Sequence, residues 1–380
     1  MKTILSFLKK EPMLTVSVLA AVAAMFITPP SAKLLSDIDW RTLGTLFMML
    51  TVLEGFKQEN IFRAVLQLAG GIGSMAGLSL FLVFSVFFSS MFVTNDVSLI
   101  IFVPLTIILF RAGGKERYLL PILTMENIAA IRGSLLTPFG SPQNLFIYGQ
   151  SGVSAGRFIA YMFPIWILSA ILLVGFVAFL YRRDLKERTS IVDASFAEEW
   201  KQERSVQRIA YLCIFALVIW TIVSRTGLWP IMAAAVAISV FLIDRKLLLK
   251  TDYVLLLTFL CFFIFSSSIA SNEGISRLLS GAVAHHEYAW SILLSQFISN
   301  VPAAIVLYPF AENRGTLLYG LDSAGLCSLI GSLASIINYR IYVREYPDNG
   351  LKFIKVFTFI SLAFFAIMVL PGYFISLSPL

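Results

Sequence analysis

Four polar interruptions break otherwise apolar stretches of this 380-residue sequence: Thr94-Asn95-Asp96, the run from Thr137 to Asn144, Ser299-Asn300-Val301-Pro302, and the run from Gly331 to Asn338. Serine, threonine and asparagine oxygens, with the backbone carbonyls that a break frees, suit a hard cation such as Na+. A helix that begins at a break aims N–H groups and the positive end of its dipole at an anion. In the first long run, Pro138 and Pro142 remove donors and restrict the residues before them, and Gly140 permits strained backbone. One pair of breaks in each half of the chain can therefore hold a cation and one end of an anion. The cation-binding candidates are Thr94, Asn95, Thr137, Gly140, Ser141 and Asn144 in the first half, and Ser299, Asn300, Ser332, Ala334, Ser335 and Asn338 in the second. The same residue types also act as helix caps and interhelical hydrogen bonds in membrane bundles. Their pairing between the halves is what favours a site.

Asp96 stands apart from that pairing, since its counterpart is Val301. A carboxylate at membrane depth is costly unless paired or protonated, which makes Asp96 a coupling candidate: it can ligate a cation, carry a proton or cap the following helix. Glu126 and Arg132 also fall inside an apolar run, and their spacing puts them on different faces of a helix. Glu54, beside Lys57, reads as an interfacial acid near the inner end of its span.

The elements that must position these residues are membrane helices. The chain is 58% hydrophobic and only 13% charged, with a mean hydropathy of +0.85. Apolar stretches occupy 12–28, 41–56, 74–111, 118–136, 158–181, 208–223, 228–243, 251–270, 287–312 and 352–376. A span needs about 20 such residues, and in lipid its backbone must be bonded within the segment, so the spans are helical. Residues 1–11 carry three lysines with no small-residue cleavage site after them, so the first span is expected to be retained.

Basic residues mark cytoplasmic loops. Lys2, Lys9 and Lys10, the loop 182–208, the group Arg111, Lys115 and Arg117, and the later groups at 245–250 and 340–355 read as inside. The segments 29–40, 149–156, 224–227 and 313–321 read as outside. These assignments agree only if 74–111 enters and leaves from the cytoplasm and 287–312 does the same from outside, each as a re-entrant hairpin with a polar tip. The expectation is an all-α polytopic membrane protein with about nine full spans plus two hairpins, the N-terminus cytoplasmic and the C-terminus outside. An N-terminal repeat (1–181), a cytoplasmic linker (182–207) and an inverted C-terminal repeat (208–380) organise it. Residues 57–69 and 272–284 read as amphipathic surface helices, one per repeat. Three polar anchors recur in order: Asp39-Trp40 with Asp252-Tyr253, Thr94-Asn95 with Ser299-Asn300, and Ser141 and Asn144 with Ser335 and Asn338, at offsets of 213, 205 and 194. Paired broken segments in corresponding places point to a transporter binding site.

Competing chemistry is poorly supported. Gly152-Val153-Ser154-Ala155-Gly156 fits a nucleophile elbow but lacks its strand–turn–helix setting. Gly71-Ile72-Gly73-Ser74-Met75-Ala76 fits a dinucleotide fingerprint but opens a membrane segment instead of following a strand. Neither a zinc-protease helix motif nor a phosphate-loop lysine motif occurs. Cys213, Cys261 and Cys327 lie in apolar runs with no disulfide or metal spacing. The net charge of +7 is spread over loops, which argues against nucleic acid. No enzyme activity and no cofactor beyond a coupling Na+ or H+ is expected.

At these residues the chain resembles the ion transporter superfamily, which includes divalent anion/sodium symporters, citrate permeases, arsenite permeases and a sodium/proton antiporter branch. Thr94-Asn95-Asp96 and Ser299-Asn300-Val301 look like the Ser-Asn-Thr motifs at the symporters' hairpin tips. Gly133 to Asn144 looks like the T-P-x-G-x-x-x-N stretch of the permease branches. The resemblance implies a homodimer in the bacterial-type inner membrane, with a transport domain moving elevator-fashion against a scaffold. It implies Na+ between each tip and its unwound partner, with substrate between the tips at Thr94, Asn95, Asp96, Ser299, Asn300 and Val301. Two features depart from the symporters. The third motif position is Asp96 or Val301 instead of Thr, which looks more like arsenite permeases, and about two spans fewer are present. The implied function is secondary transport of a small anion, a di- or tricarboxylate or an oxyanion, coupled to Na+ or H+. Na+/H+ antiport and arsenite-type efflux are the alternatives.

Overall fold

The computed structural model describes residues 11–29, 32–59, 69, 72–183, 205–378 and 380, and those residues are predominantly helical. The helices are α1 (Pro12–Ile27), α2 (Ala32–Asp37), α3 (Trp40–Gln58), α4 (Met75–Val93), α5 (Asn95–Ala112), α6 (Leu119–Ser134), α7 (Pro142–Ser151), α8 (Ala155–Leu180) and α9 (Ser205–Ser224). They continue as α10 (Trp229–Lys250), α11 (Tyr253–Ala270), α12 (Glu273–Val283), α13 (Glu287–Ile298), α14 (Asn300–Leu307), α15 (Arg314–Ala324), α16 (Leu333–Glu345) and α17 (Gly350–Ser376). Six described segments are long and apolar enough to cross a membrane: Met75–Val93, Asn95–Ala112, Ala155–Leu180, Val206–Ser224, Tyr253–Ala270 and Pro347–Ser376. Their outward faces carry Ile171, Phe179, Phe359 and Phe374 exposed. So much exposed apolar surface is incompatible with water and suits lipid. The protein is a polytopic membrane protein.

The interior is built on α4–α6 and α13–α16. Close approach is enforced by glycine. A Cβ at Gly133 of α6 would lie 1.9 Å from the Phe87 carbonyl oxygen of α4, and one at Gly320 of α15 would lie 2.7 Å from the Tyr288 carbonyl oxygen of α13. In each half, therefore, the arm leading to a polar tip packs backbone-to-backbone on the helix leading to a break.

The anchors read from the sequence have matching local structure. Asp39 caps α3 at φ −77°, ψ 78°, accepting from the Thr42 N–H. Asp252 caps α11 at φ −75°, ψ 79°, accepting from the Leu255 N–H. The two capped helices run in opposite directions. Thr51 meets Thr251 at 3.1 Å where α11 begins, and Ser267 donates to Asp37 at 2.8 Å where it ends.

Three expectations are corrected. The segment 313–321, read as an outside loop, is mostly α15, in which Gly315 to Ala324 are buried. The second break lies at 325–332, before the stretch 331–338, so that Ser335 and Asn338 are already helical. In the first half the unwound run is 135–141, and Asn144 sits in the first turn of α7. The amphipathic helix expected at 57–69 and the linker at 182–207 lie mostly outside the described residues. At 272–284 the chain forms α12, capped by Asn272.

Replacing Gly133 by alanine should lower the thermal unfolding midpoint of the detergent-purified protein, by an amount equivalent to about 1–3 kcal/mol of overpacking. Gly175→Ala on α8, where a Cβ meets nothing within 4 Å, should leave the midpoint unchanged or slightly raised.

Candidate functional site

The two polar tips share one unusual backbone conformation. Thr94, between α4 and α5, has φ 70°, ψ 156°, and Ser299, between α13 and α14, has φ 68°, ψ 158°. Side-chain-bearing residues almost never occupy this region, and it costs on the order of 1–3 kcal/mol per residue. The conformation ends one helix and starts the next at a single residue. The new helix begins at once, through Ser98 N–H to the Thr94 carbonyl (3.2 Å) and Ala303 N–H to the Ser299 carbonyl (3.2 Å).

The two breaks are also alike. Ser141 precedes α7 at φ −148°, ψ 152°, and Ser332 precedes α16 at φ −146°, ψ 138°. The glycine before each folds back on the helix just ended. A Cβ on Gly140 would lie 2.1 Å from the Ser134 carbonyl oxygen, and one on Gly331 would lie 2.3 Å from that of Ala324. Ser141 thus corresponds to Ser332, three residues before the Ser335 suggested by sequence matching. A slip of three is close to one helical turn and leaves the same face presented, which is why the sequence admitted it.

Each break is tied to its own tip. The Thr137 hydroxyl donates to the Met91 carbonyl in the last turn before Thr94. The Asn300 N–H donates to the Gly331 carbonyl at 3.2 Å. Asn144 closes the first break by donating to the Leu135 carbonyl at 3.1 Å and the Thr137 carbonyl at 3.4 Å. Asn300 reaches the Leu321 carbonyl at 3.4 Å, and Asn95 accepts from the Asp96 N–H at 2.9 Å. Ser335 and Asn338 serve packing between the halves. Asn127 of α6 donates to Ser335 at 2.9 Å, and Asn338 donates to the Leu123 carbonyl at 2.7 Å. Val301 and Ala334 are buried apolar neighbours of these groups.

Six described helices are capped by their own N-cap side chain. Asp39, Ser74, Ser154, Asp252, Asn272 and Asn313 each cap their helix with a side-chain oxygen. The four helices that start at the tips and breaks have Thr94, Ser141, Ser299 and Ser332 at the cap position, yet among the described residues none of these hydroxyls makes the cap bond. Buried oxygens without a partner among the described residues gather here too: Ser141 Oγ, Asn144 Oδ1, Asn127 Oδ1, Asn338 Oδ1 and Asp96 Oδ1. Such atoms are rare in folded proteins and call for a ligand or solvent.

A cavity of about 110 Å³ joins the first tip to the first break. Thr94, Asp96 and Ser141 line it together with Glu54 and Lys57 of α3 and Asp252 at the start of α11. Behind it lie charges that sequence reasoning weighed lightly or missed. Glu126 accepts from Thr106 at 2.5 Å and faces α5. Arg132, fully buried, lies in electrostatic reach of Asp322, Tyr288 and Tyr319. The different neighbours of Glu126 and Arg132 follow from their six-residue spacing. Asp322 of α15 accepts from Gln143 of α7 at 3.1 Å and was missed, although an acid next to a long apolar run was the available signal.

With this geometry in place, comparison with known proteins is decisive for kinship: residues 4–331 match the family described as citrate transporter, CitMHS. The chain belongs to the citrate transporter family. It is 30% identical over 334 residues to the inner membrane protein YbiR of Escherichia coli strain K12, covering 85% of this chain and 86% of the relative. It is likewise 30% identical over 309 residues to the uncharacterized transporter MJ0456 of Methanocaldococcus jannaschii, covering 80% of this chain and 81% of the relative. As a member of that family it is a membrane transporter, and kinship with the ion transporter superfamily follows.

Replacing Thr94 by glycine should relieve the tip. The relief of about 1–3 kcal/mol exceeds the roughly 0.5–1 kcal/mol that glycine costs, so the unliganded unfolding midpoint should rise slightly. Any stabilisation by transported ligand should fall, because the hydroxyl and the rigidity of the tip are lost together.

Proposed function

We propose that this chain is a secondary active transporter that moves a small anion, a di- or tricarboxylate or an oxyanion, coupled to Na+ or H+. The observation that carries the reading is the pair of strained tips, each facing a break, with four helices starting there whose Ser or Thr hydroxyls make no cap bond. Free N–H groups and aligned dipoles at those starts suit an anion, and the tip and break oxygens suit a coupling cation.

Two inverted repeats with re-entrant hairpins are the architecture we infer for it. The matched caps of the antiparallel helices α3 and α11 support the inversion. At about 1.5 Å per residue, α13 with 12 residues and α14 with 8 cannot span a bilayer core of about 30 Å, which supports a hairpin there. The distribution of basic residues supports putting the C-terminal end of α3, and with it the cavity, on the cytoplasmic side. Movement of one half-built site between two sides is the elevator reading, and a homodimer supplies its scaffold.

A second reading, Na+/H+ antiport centred on Asp96, is favoured by the charge of the cavity. Glu54, Asp96 and Asp252 face a single cation, Lys57, among the described lining residues. An acid-rich mouth attracts a cation more readily than an anion. Arsenite-type efflux, whose substrate is a small oxyanion or its neutral acid, shares the same site.

Thermal unfolding of the purified protein with carboxylates, sulfate, phosphate and arsenite, each in sodium and in choline buffer, separates these readings by mass action. Coupled anion transport predicts stabilisation by one anion class only with sodium or at one pH, abolished by Asn95→Ala or Asn300→Ala. Stabilisation by sodium or pH alone, lost in Asp96→Asn and indifferent to every anion, would replace it by antiport.

A further inference from the structure

A second cavity, of about 210 Å³, lies at the opposite end of α3, lined among others by Asp39, Gln150, Ser267, Ala270, Ile305 and Tyr308. It corresponds to the first cavity through the offsets already set by the caps and tips. Asp39 matches Asp252, Ile305 matches Ile100, and Ser267 and Ala270 match Glu54 and Lys57. The correspondence fails in charge. Glu54, Lys57 and Asp96 all belong to the first mouth, and their counterparts Ser267, Ala270 and Val301 are neutral. The second mouth carries a different acid, Asp37, which accepts from Ser267 at 2.8 Å, so the Glu54–Lys57–Asp96 set is particular to the first.

Within the first cavity the ammonium of Lys57 sits 2.9 Å from Glu54 Oε2, with both side chains only partly exposed. Lys57 is also in electrostatic reach of Asp96, as is Asp252. Among the described residues, Glu54 and Lys57 of α3 and Asp252 of α11 are the ionisable groups that line the cavity with Asp96; the break residues Phe139, Ser141 and Pro142, and Ile337 of α16, add none. Asp96 Oδ1 has no hydrogen-bond partner among the described residues, and neither has Ser141 Oγ on the same wall, in a side chain only 1% exposed. A carboxylate oxygen and a buried hydroxyl left open on one cavity are an unfilled place for a cation. Lys57 carries the resident cation nearest to hand, a compact charge on a flexible four-carbon stem.

We propose that Lys57 is a tethered counter-ion that exchanges between Glu54, its partner in this structure, and Asp96, where it competes with Na+ or a proton. Glu54 is its parking place when the coupling cation arrives. The proposal rests on Asp96 being the coupling residue. Its consequence is sidedness: a cation at Asp96 competes with Lys57, so affinity is lowered at the first mouth and release there is favoured. Among the described residues that line the second mouth there is no cation.

The test is thermal unfolding of the full-length purified protein, titrated with sodium against choline at constant ionic strength, and separately with pH. Lys57→Met, with Lys57→Gln as a second neutral variant should the first not fold, should lower the half-maximal sodium concentration about tenfold or raise the pH midpoint by about one unit, the size expected for removing one nearby unit charge. Lys57→Arg keeps the charge and should stay within about threefold of wild type, by the same reckoning. The double change Lys57→Met with Asp96→Asn should respond to neither ion. If the neutral variants titrate like wild type while Asp96→Asn abolishes the response, Lys57 does not compete and the proposal fails with the Asp96 reading intact. If Asp96→Asn itself titrates like wild type, Asp96 holds no coupling ion and both fail.

Discussion

Backbone that stops being helical inside an apolar bundle leaves N–H and carbonyl groups with no water to satisfy them, and each such group costs several kcal/mol. Four helices of this chain begin under that constraint, at Asn95, Pro142, Asn300 and Leu333. Much of the interior is arranged to meet it. Gly140 and Gly331 let the chain fold onto the preceding helix end, Asn144 closes two carbonyls, and Thr137 and the Asn300 N–H tie each break to its tip. Among the described residues this arrangement leaves the oxygens of Ser141 and Asn144 without a partner, and these are the atoms the proposed site offers a ligand.

The same interior ties the two halves of the chain together. The helix after each tip packs on the helix after the other half's break, α5 on α16 and α14 on α7. Buried charges cross the same boundary. Asp322 takes a hydrogen bond from Gln143, and Arg132 lies opposite it in electrostatic reach. Breaking one partner of a buried charged set is expensive, so these contacts hold α6, α7 and α15 as one body.

Much of this was legible in the sequence because polar residues stand out against apolar ones. The tips at Thr94-Asn95 and Ser299-Asn300 and the Asp39–Asp252 pair lie where the sequence put them, whereas the first break, read as 137–144, unwinds at 135–141. The second break was placed late because Leu326, Cys327, Leu329 and Ile330 are apolar, and apolar loop packed inside protein has the composition of helix. Asp322 escaped notice for the converse reason. Gly315, Thr316 and Gly320 look like loop residues, whereas here they let a buried helix approach its neighbours closely. The charged character of the first cavity needs Glu54, Asp96 and Asp252 brought together in space, and no spacing along the chain announces that.

Alternating exposure of one site is tested most directly by chemical accessibility at equivalent places in the two mouths. Ile100 lines the first cavity and Ile305 the second, and the two correspond by the offset of the tips. Cysteine placed at one or the other, with Cys213, Cys261 and Cys327 replaced, would be reacted with an impermeant maleimide from each side of sealed vesicles. If one site is exposed alternately, ligand and coupling cation should shift labelling in opposite senses, Ile100→Cys from the cytoplasmic side falling as Ile305→Cys from the other side rises, or the reverse. Labelling that changes in the same sense at both positions, or at neither under any combination of anion, sodium and pH, would contradict it.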